Sequence, residues 1–220
     1  INSAQTTKTA IQDYEEGIKL QDSKKYAEAM VAFKKAITKN PNYKEALYSA
    51  GWISNELKKY AEALPYLQRA KSLWPKEPKV YLELGYACEK LDKKTDAIDN
   101  YSKCLSIKPG YALAYKYLGI LYYDDYNYEK ALENIELFIK YEPDTKSDDL
   151  YYRKAVSEND LGKYNDALVS INKANDLNPN NVKFLNELGY TYYLLKNKDD
   201  ALQYYDKALV IDPKSLTALN

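Results

Sequence analysis

Residues 78–111 read PKVYLELGYACEKLDKKTDAIDNYSKCLSIKPGY, and this stretch of 34 residues recurs in altered form along nearly the whole chain. Prolines at 41, 75, 109, 143, 179 and 213 mark the ends of successive copies, 34 residues apart except for one step of 36. Small residues keep the same beat. Gly17, Gly51, Gly85, Gly119, Ala155 and Gly189 are each followed twelve residues later by Ala29, Ala63, Ala97, Ala131, Ala167 and Ala201. A period of this length indicates helical hairpins stacked on one another.

Each copy reads as two helices. The Gly falls in the first and the Ala in the second, an arrangement expected to set two small residues face to face and let the helices approach closely. Four residues after the Ala comes a large apolar side chain (Phe33, Leu67, Tyr101, Ile135, Ile171, Tyr205). Three further on stands a mostly small one (Ala36, Ala70, Cys104, Phe138, Ala174, Ala208). Spacings of four and three keep these positions on one helical stripe. The proline then ends the second helix, because it cannot continue the backbone ladder and forces its predecessor out of the α region. Polar turns such as residues 22–25 and Gly162-Lys163 join the two helices.

On these residues the chain resembles a tetratricopeptide repeat protein over residues 10–215. The family's pattern appears in the third copy as Tyr81, Leu84-Gly85, Cys88, Ala97, Tyr101, Cys104 and Pro109. In the sixth it appears as Leu185, Leu188-Gly189, Tyr192, Ala201, Tyr205, Ala208 and Pro213. The resemblance implies an all-α fold, a right-handed α-solenoid of stacked antiparallel helix hairpins. In the family register a single domain holds six repeats, 10–43, 44–77, 78–111, 112–145, 148–181 and 182–215. Lys146-Ser147 is a two-residue insertion, residues 1–9 a flexible N-terminal extension, and residues 216–220 the start of a further helix.

Composition narrows the function. The 220 residues carry 32 basic and 32 acidic side chains, so the basic footprint of a nucleic-acid binder is missing. No apolar run approaches the roughly 18 to 20 residues that span a bilayer. Histidine is absent, which closes the common routes to acid–base, nucleophilic and transition-metal chemistry. The adjacent pairs Asp124-Asp125 and Asp148-Asp149 lie near helix ends, where acids are ordinary capping residues. The glycines stand at repeat positions or in turns and leave none for a phosphate-binding loop. Cys88 and Cys104 fall at framework positions and read as small buried fillers in preference to a disulfide or metal pair. No enzyme, cofactor or metal is implied.

Of the 25 tyrosines, eleven fill framework positions, among them Tyr26, Tyr60, Tyr81, Tyr101 and Tyr122. The resemblance gives several others a role, since first helices of this family line a concave face with their second, fifth, ninth and twelfth residues. Those positions here include Tyr14, Tyr48 and Tyr152, then Trp52, Tyr86 and Tyr190, then Tyr123 and Tyr193. Aromatic side chains with a polar tip are the composition of interface anchors. The competing reading of Trp52, Tyr86 and Tyr190 is that ninth-position side chains merely pack between neighbouring first helices.

Lys116, Arg153 and Lys183 come from consecutive first helices and coincide with positions of the carboxylate clamp, by which some family members hold a partner's C-terminal carboxylate. Ile120 stands where that motif has Asn, and Glu187 where it has a second basic residue, so the clamp is incomplete. A looser anion site remains. The bland alternative is that Glu187 and Asp149 neutralise these cations.

Departures from the frame are read as shape adjustments. Ala155 for Gly, Lys154 for Leu and the insertion predict a local change of pitch, and Pro65 removes a ladder bond inside the second repeat. Asp13 and Glu16 take the place of mostly apolar residues, as expected where an array starts. Leu216-Thr-Ala-Leu219 resumes the first-helix pattern and stops, leaving an apolar face on the sixth second helix through Leu202, Tyr205, Leu209 and Ile211. The opening Ile1-Asn-Ser-Ala4-Gln5 would suit a signal-peptide cleavage point, so location stays open between exported and cytoplasmic. The expected function is a non-catalytic protein-protein interaction scaffold that takes a peptide or protein partner in an aromatic-rich groove. The alternative is a self-assembly module, a weak homodimer through the C-terminal repeat or the repeat region of a larger protein.

Overall fold

The computed structural model describes residues 8–214, and among them every regular element is an α-helix. The chain forms two compact units, one reaching to Ala114 and the other beginning at Tyr115, with the division falling inside α7.

The first unit contains α1 (Ala10–Asp22), α2 (Tyr26–Lys39), α3 (Lys44–Glu56), α4 (Tyr60–Leu73), α5 (Pro78–Lys90) and α6 (Lys94–Ile107). These helices pack as the hairpins α1/α2, α3/α4 and α5/α6, joined through α2 against α3, α4 against α5 and first helix α3 against first helix α5. The second unit runs through α7 (Ala112–Asp124), α8 (Tyr128–Tyr141), α9 (Asp148–Asp160), α10 (Tyr164–Leu177), α11 (Val182–Leu194) and α12 (Lys198–Ile211). Its hairpins α9/α10 and α11/α12 meet through α10 against α11 and α9 against α11, and α8 packs on α9. The first helices begin at Ala10, Lys44, Pro78, Ala112, Asp148 and Val182, the residues at which the repeat register starts each unit.

Local chemistry explains the boundaries. Thr9 and Gln12 form a reciprocal capping box at the start of α1, and Pro78 occupies the first turn of α5, where a missing N–H costs nothing. Each hairpin turns through one left-handed residue: Lys24, Lys58, Asp92, Tyr126, Gly162 or Lys196. At the second of these, Lys58 N–H and Lys59 N–H donate back to the carbonyls of Asn55 and Ser54, which satisfies the last turn of α3. Asn40 and Asp212, each preceding a proline, have left the helical region for extended backbone. Helix α4 nevertheless continues through Pro65, which is exposed.

The close approach within a hairpin differs from the expected meeting of Gly with Ala. A Cβ on Gly17, Gly51, Gly85, Gly119 or Gly189 would meet the large side chain four residues beyond that Ala, at 2.4 Å from Phe33, 2.4 Å from Leu67, 2.5 Å from Tyr101, 2.8 Å from Ile135 and 2.6 Å from Tyr205. The Gly makes room for a ring or branched chain laid flat on the first helix. The Ala stays fully buried on the same stripe.

Two polar substitutions in the frame are also buried. Asp13, read as a solvent-facing residue of a starting repeat, is 2 % exposed and paired with Lys39 across the first hairpin. In the fifth repeat Glu158 is 1 % exposed and holds Lys154, whose ammonium also reaches Ser170 Oγ at 3.3 Å and Glu136 Oε1 at 3.7 Å. Cys88 and Cys104 are free and buried, and burial pushes the Cys104 thiol up to about 12. On α12, Leu202, Val210 and Ile211 are exposed, whereas Tyr205 is turned in against Gly189. The expected N-terminal extension falls mostly, and the resumed helix at 216–220 wholly, outside the described residues.

Candidate functional site

In the first unit the polar and aromatic groups concentrate where α3 meets α5. Both amide hydrogens of Asn55 on α3 are used on α5: Nδ2 donates to the Glu83 carboxylate at 2.8 Å and to the Glu83 carbonyl at 3.1 Å. Asn55 Oδ1 is buried without a hydrogen-bond partner. Burial pushes the Glu83 carboxyl up to about 7, an effect that the Asn55 hydrogen bond opposes and neighbouring Glu56 reinforces. One turn before Glu83, Lys79 lays its ammonium 4.6 Å above the Tyr48 ring and 5.0 Å from the Trp74 ring. Lys44 approaches that same indole at 4.7 Å. Desolvation drives the Tyr48 phenol well above its usual range, so it stays protonated, a donor and not an anion.

In the second unit α9 meets α11 in the same way. Asn159 Nδ2 donates to Glu187 Oε1 at 2.7 Å and to Thr191 Oγ1 at 2.8 Å, and its Oδ1 is likewise buried without a partner. Burial raises the Glu187 carboxyl and the Asn159 bond opposes that rise. Lys183 lies 4.8 Å above the Tyr152 ring, which stacks on Phe184 at 5.4 Å. Tyr123 on α7 donates its hydroxyl proton to Tyr152, and Arg153 lies 4.7 Å over the Tyr123 ring.

The predicted residues therefore separate by environment. Tyr14 packs against Tyr43 and Phe33 and takes a hydrogen bond from Ser49. Trp52 and Tyr86 pack edge-on against Tyr26 and Tyr60, at 5.7 and 6.0 Å, so these two ninth-position rings take part in helix packing. Tyr190 and Tyr193 are different, 44 % and 53 % exposed on α11. The basic trio does not act as one group. Arg153 is held by Asp149 at 2.7 Å and Asp124 at 2.6 Å, Lys116 points to the Phe138 ring at 6.0 Å, and Lys183 is on Tyr152. Glu187, expected to neutralise these cations, is instead bound by Asn159. The family register puts Asn55 and Asn159 at the twelfth, groove-facing position, whereas Lys79 and Glu83 were not singled out from the sequence. Their signal is there: Tyr48, Asn55, Lys79, Glu83 and Tyr86 recur at an offset of 104 residues as Tyr152, Asn159, Lys183, Glu187 and Tyr190.

Among the described residues no group of histidine, cysteine or acidic side chains is placed to hold a metal, and no helix is long and apolar enough to cross a membrane.

Comparison with known proteins bears on the whole arrangement. Tetratricopeptide-repeat family models match residues 14–78, residues 78–111 and 148–181, and residues 182–215. The solved structure of YrrB, described as a tetratricopeptide repeat protein with an unusual peptide-binding site, superposes with a TM-score of 0.78 at 20% identity, covering 86% of this chain and 96% of that one. MamA from Desulfovibrio magneticus RS-1 gives 0.67 at 18% identity, covering 79% and 97%. The C-terminal part of a repeat protein from Cytophaga hutchinsonii gives 0.72 at 20% identity, covering 90% and 78%. At these identities the likeness is one of fold. A search of curated proteins returned no significant match.

Proposed function

Because this chain belongs to the tetratricopeptide repeat family, we propose that it is a non-catalytic protein-protein interaction scaffold that holds a peptide or partner segment on the aromatic-rich face of its first helices. The observation that carries this reading is the placement of Tyr190 and Tyr193. Both are large rings left half-exposed on first helix α11, and Tyr152 is partly buried on α9, the first helix packed against it. Exposed rings of this kind bring large contact area at small entropic cost when a partner covers them. The sequence's lack of histidine supports a binding role over a catalytic one.

A photo-crosslinking amino acid placed at Tyr190 or Tyr193 tests it in native extract. Capture of the same polypeptide from both positions, and not from Val169, which is 72 % exposed on second helix α10, is the expected result. Capture from Val169 alone would move the interface off the first helices. A second reading rests on α12, where Leu202, Val210 and Ile211 are 61, 83 and 46 % exposed. That face would serve self-association, and sedimentation against concentration would detect the dimer that Val210→Glu abolishes.

A further inference from the structure

Lys79 and Glu83 stand four residues apart on α5, the spacing at which opposite charges on a helix normally pair. They do not pair. Asn55, from the neighbouring first helix, holds the carboxylate at 2.8 Å, and the ammonium lies over Tyr48 instead. In the second unit Lys183 and Glu187 have the same spacing and the same fate, with Asn159 holding the carboxylate at 2.7 Å and Lys183 over Tyr152. Among the described residues neither lysine has an ion-pair partner. A device that keeps a carboxylate away from an adjacent ammonium, built once in each unit from identical residues, leaves two cations whose spare N–H donors are uncommitted.

We propose that each unit carries the same subsite, for an acidic side chain of an extended partner segment, so that one chain takes up an acidic motif twice. This rests on the first-helix face being the binding surface. The tyrosine ring fixes the ammonium in place and shields it on one side, so its remaining donors are pre-oriented for a carboxylate. Burial raises both carboxyls, that of Glu83 to about 7, and Asn55 and Asn159 already occupy them, which weakens their competition with the incoming anion. The lysines differ from the clamp motif in needing no C-terminal carboxylate. An internal aspartate or glutamate suffices.

The test is an equilibrium titration of the whole chain with a short peptide, acetylated and amidated at its ends, carrying one Glu flanked by Gly and Ser, and with its Gln counterpart. Two equivalent peptides per chain are expected for the Glu form and none for the Gln form. Lys79→Gln and Lys183→Gln should each reduce the count from two to one, and the double variant should abolish binding with unchanged helical circular dichroism. One site per chain, lost in only one variant, overturns the duplication. Equal binding of Glu and Gln peptides, lost in Tyr48→Phe or Tyr152→Phe, overturns the acidic specificity while leaving a first-helix binding surface. Glu-peptide binding unaffected by either lysine, or no Glu-peptide binding at all, overturns the proposal. In either case, crosslinking from Tyr190 and Tyr193 still judges the broader reading separately.

Discussion

A Cβ added to Gly85 would lie 2.5 Å from Cε1 of Tyr101, closer than side-chain carbons approach, and the tyrosine ring is fully buried. The ring has nowhere to swing. Gly85→Leu is therefore expected to destabilise the protein by about 1 to 3 kcal/mol or more. Thermal melting of the variant checks this, and Gly85→Ala should cost less in a Tyr101→Ala background than in the natural protein. An unperturbed melt would mean that α5 and α6 can separate at this point without cost.

The hairpin turns invite the opposite substitution. Lys58 sits at φ 59, in the left-handed region that costs an L-residue roughly 1 to 2 kcal/mol, and its side chain is exposed. Gly162 fills the corresponding place in the fifth repeat at φ 76. Lys58→Gly should stabilise by up to about 1 kcal/mol and Gly162→Ala should destabilise by a similar amount. Chemical denaturation of both variants reads the pair, and the same sign for both would refute the backbone argument.

These features also mark how far the sequence could be read. The 34-residue beat of Pro, Gly and Ala placed all six first helices, because each of those residues acts locally: proline on its own backbone, glycine and alanine on one neighbouring helix. Register sets which way Tyr193 projects, whereas for Tyr190 it left packing between first helices open; both rings are half-exposed. The bond between Asn55 and Glu83 was not legible, because it joins residues 28 apart, and only the distance from α3 to α5 turns two ordinary polar residues into a site. Asp13 misled for a related reason. A lone acid at a first repeat reads as solvent-facing, and nothing local announces that Lys39 will cover it.

Glu83 gives the protein a pH dependence whose sign is set by burial. Its carboxyl is raised to about 7 in the folded chain, with Asn55 donating to it, Glu56 repelling it and Tyr48 and Tyr111 close by. The folded state thus holds a proton that the unfolded state has released above the ordinary carboxylate range. Stability from this group is full at low pH and falls as pH rises toward about 7, by an amount on the order of 2 kcal/mol. Glu83→Gln, which keeps an acceptor for Asn55, should flatten that slope between about pH 4.5 and 7 and stabilise the protein above pH 7. Denaturant midpoints measured across this range decide it, and parallel curves for the two proteins would place the proton elsewhere.

The pair Lys154 and Glu158 is the sharpest test of why polar residues occupy the fifth repeat's core. Glu158 is 1 % exposed and its Oε2 makes no hydrogen bond, while Lys154 reaches toward Ser170 and Glu136 from a side chain 16 % exposed. Bringing two charges out of water is costly, and their attraction offsets that cost only while both are present. Glu158→Ala should therefore destabilise by about 3 kcal/mol, since it leaves a largely buried ammonium with the exposed Glu136, at 3.7 Å, as its remaining carboxylate. Replacing both, with Lys154→Leu as in the third and sixth repeats and Glu158→Tyr as in the fourth and sixth, restores residues that the repeat frame carries at those positions. The double variant should be neutral or more stable than the natural protein, and the difference from the sum of the two single changes gives the coupling of the pair. If the double variant instead melts as low as Glu158→Ala, the ion pair is required by the local geometry that the inserted Lys146-Ser147 and Ala155 create, and apolar packing cannot take its place.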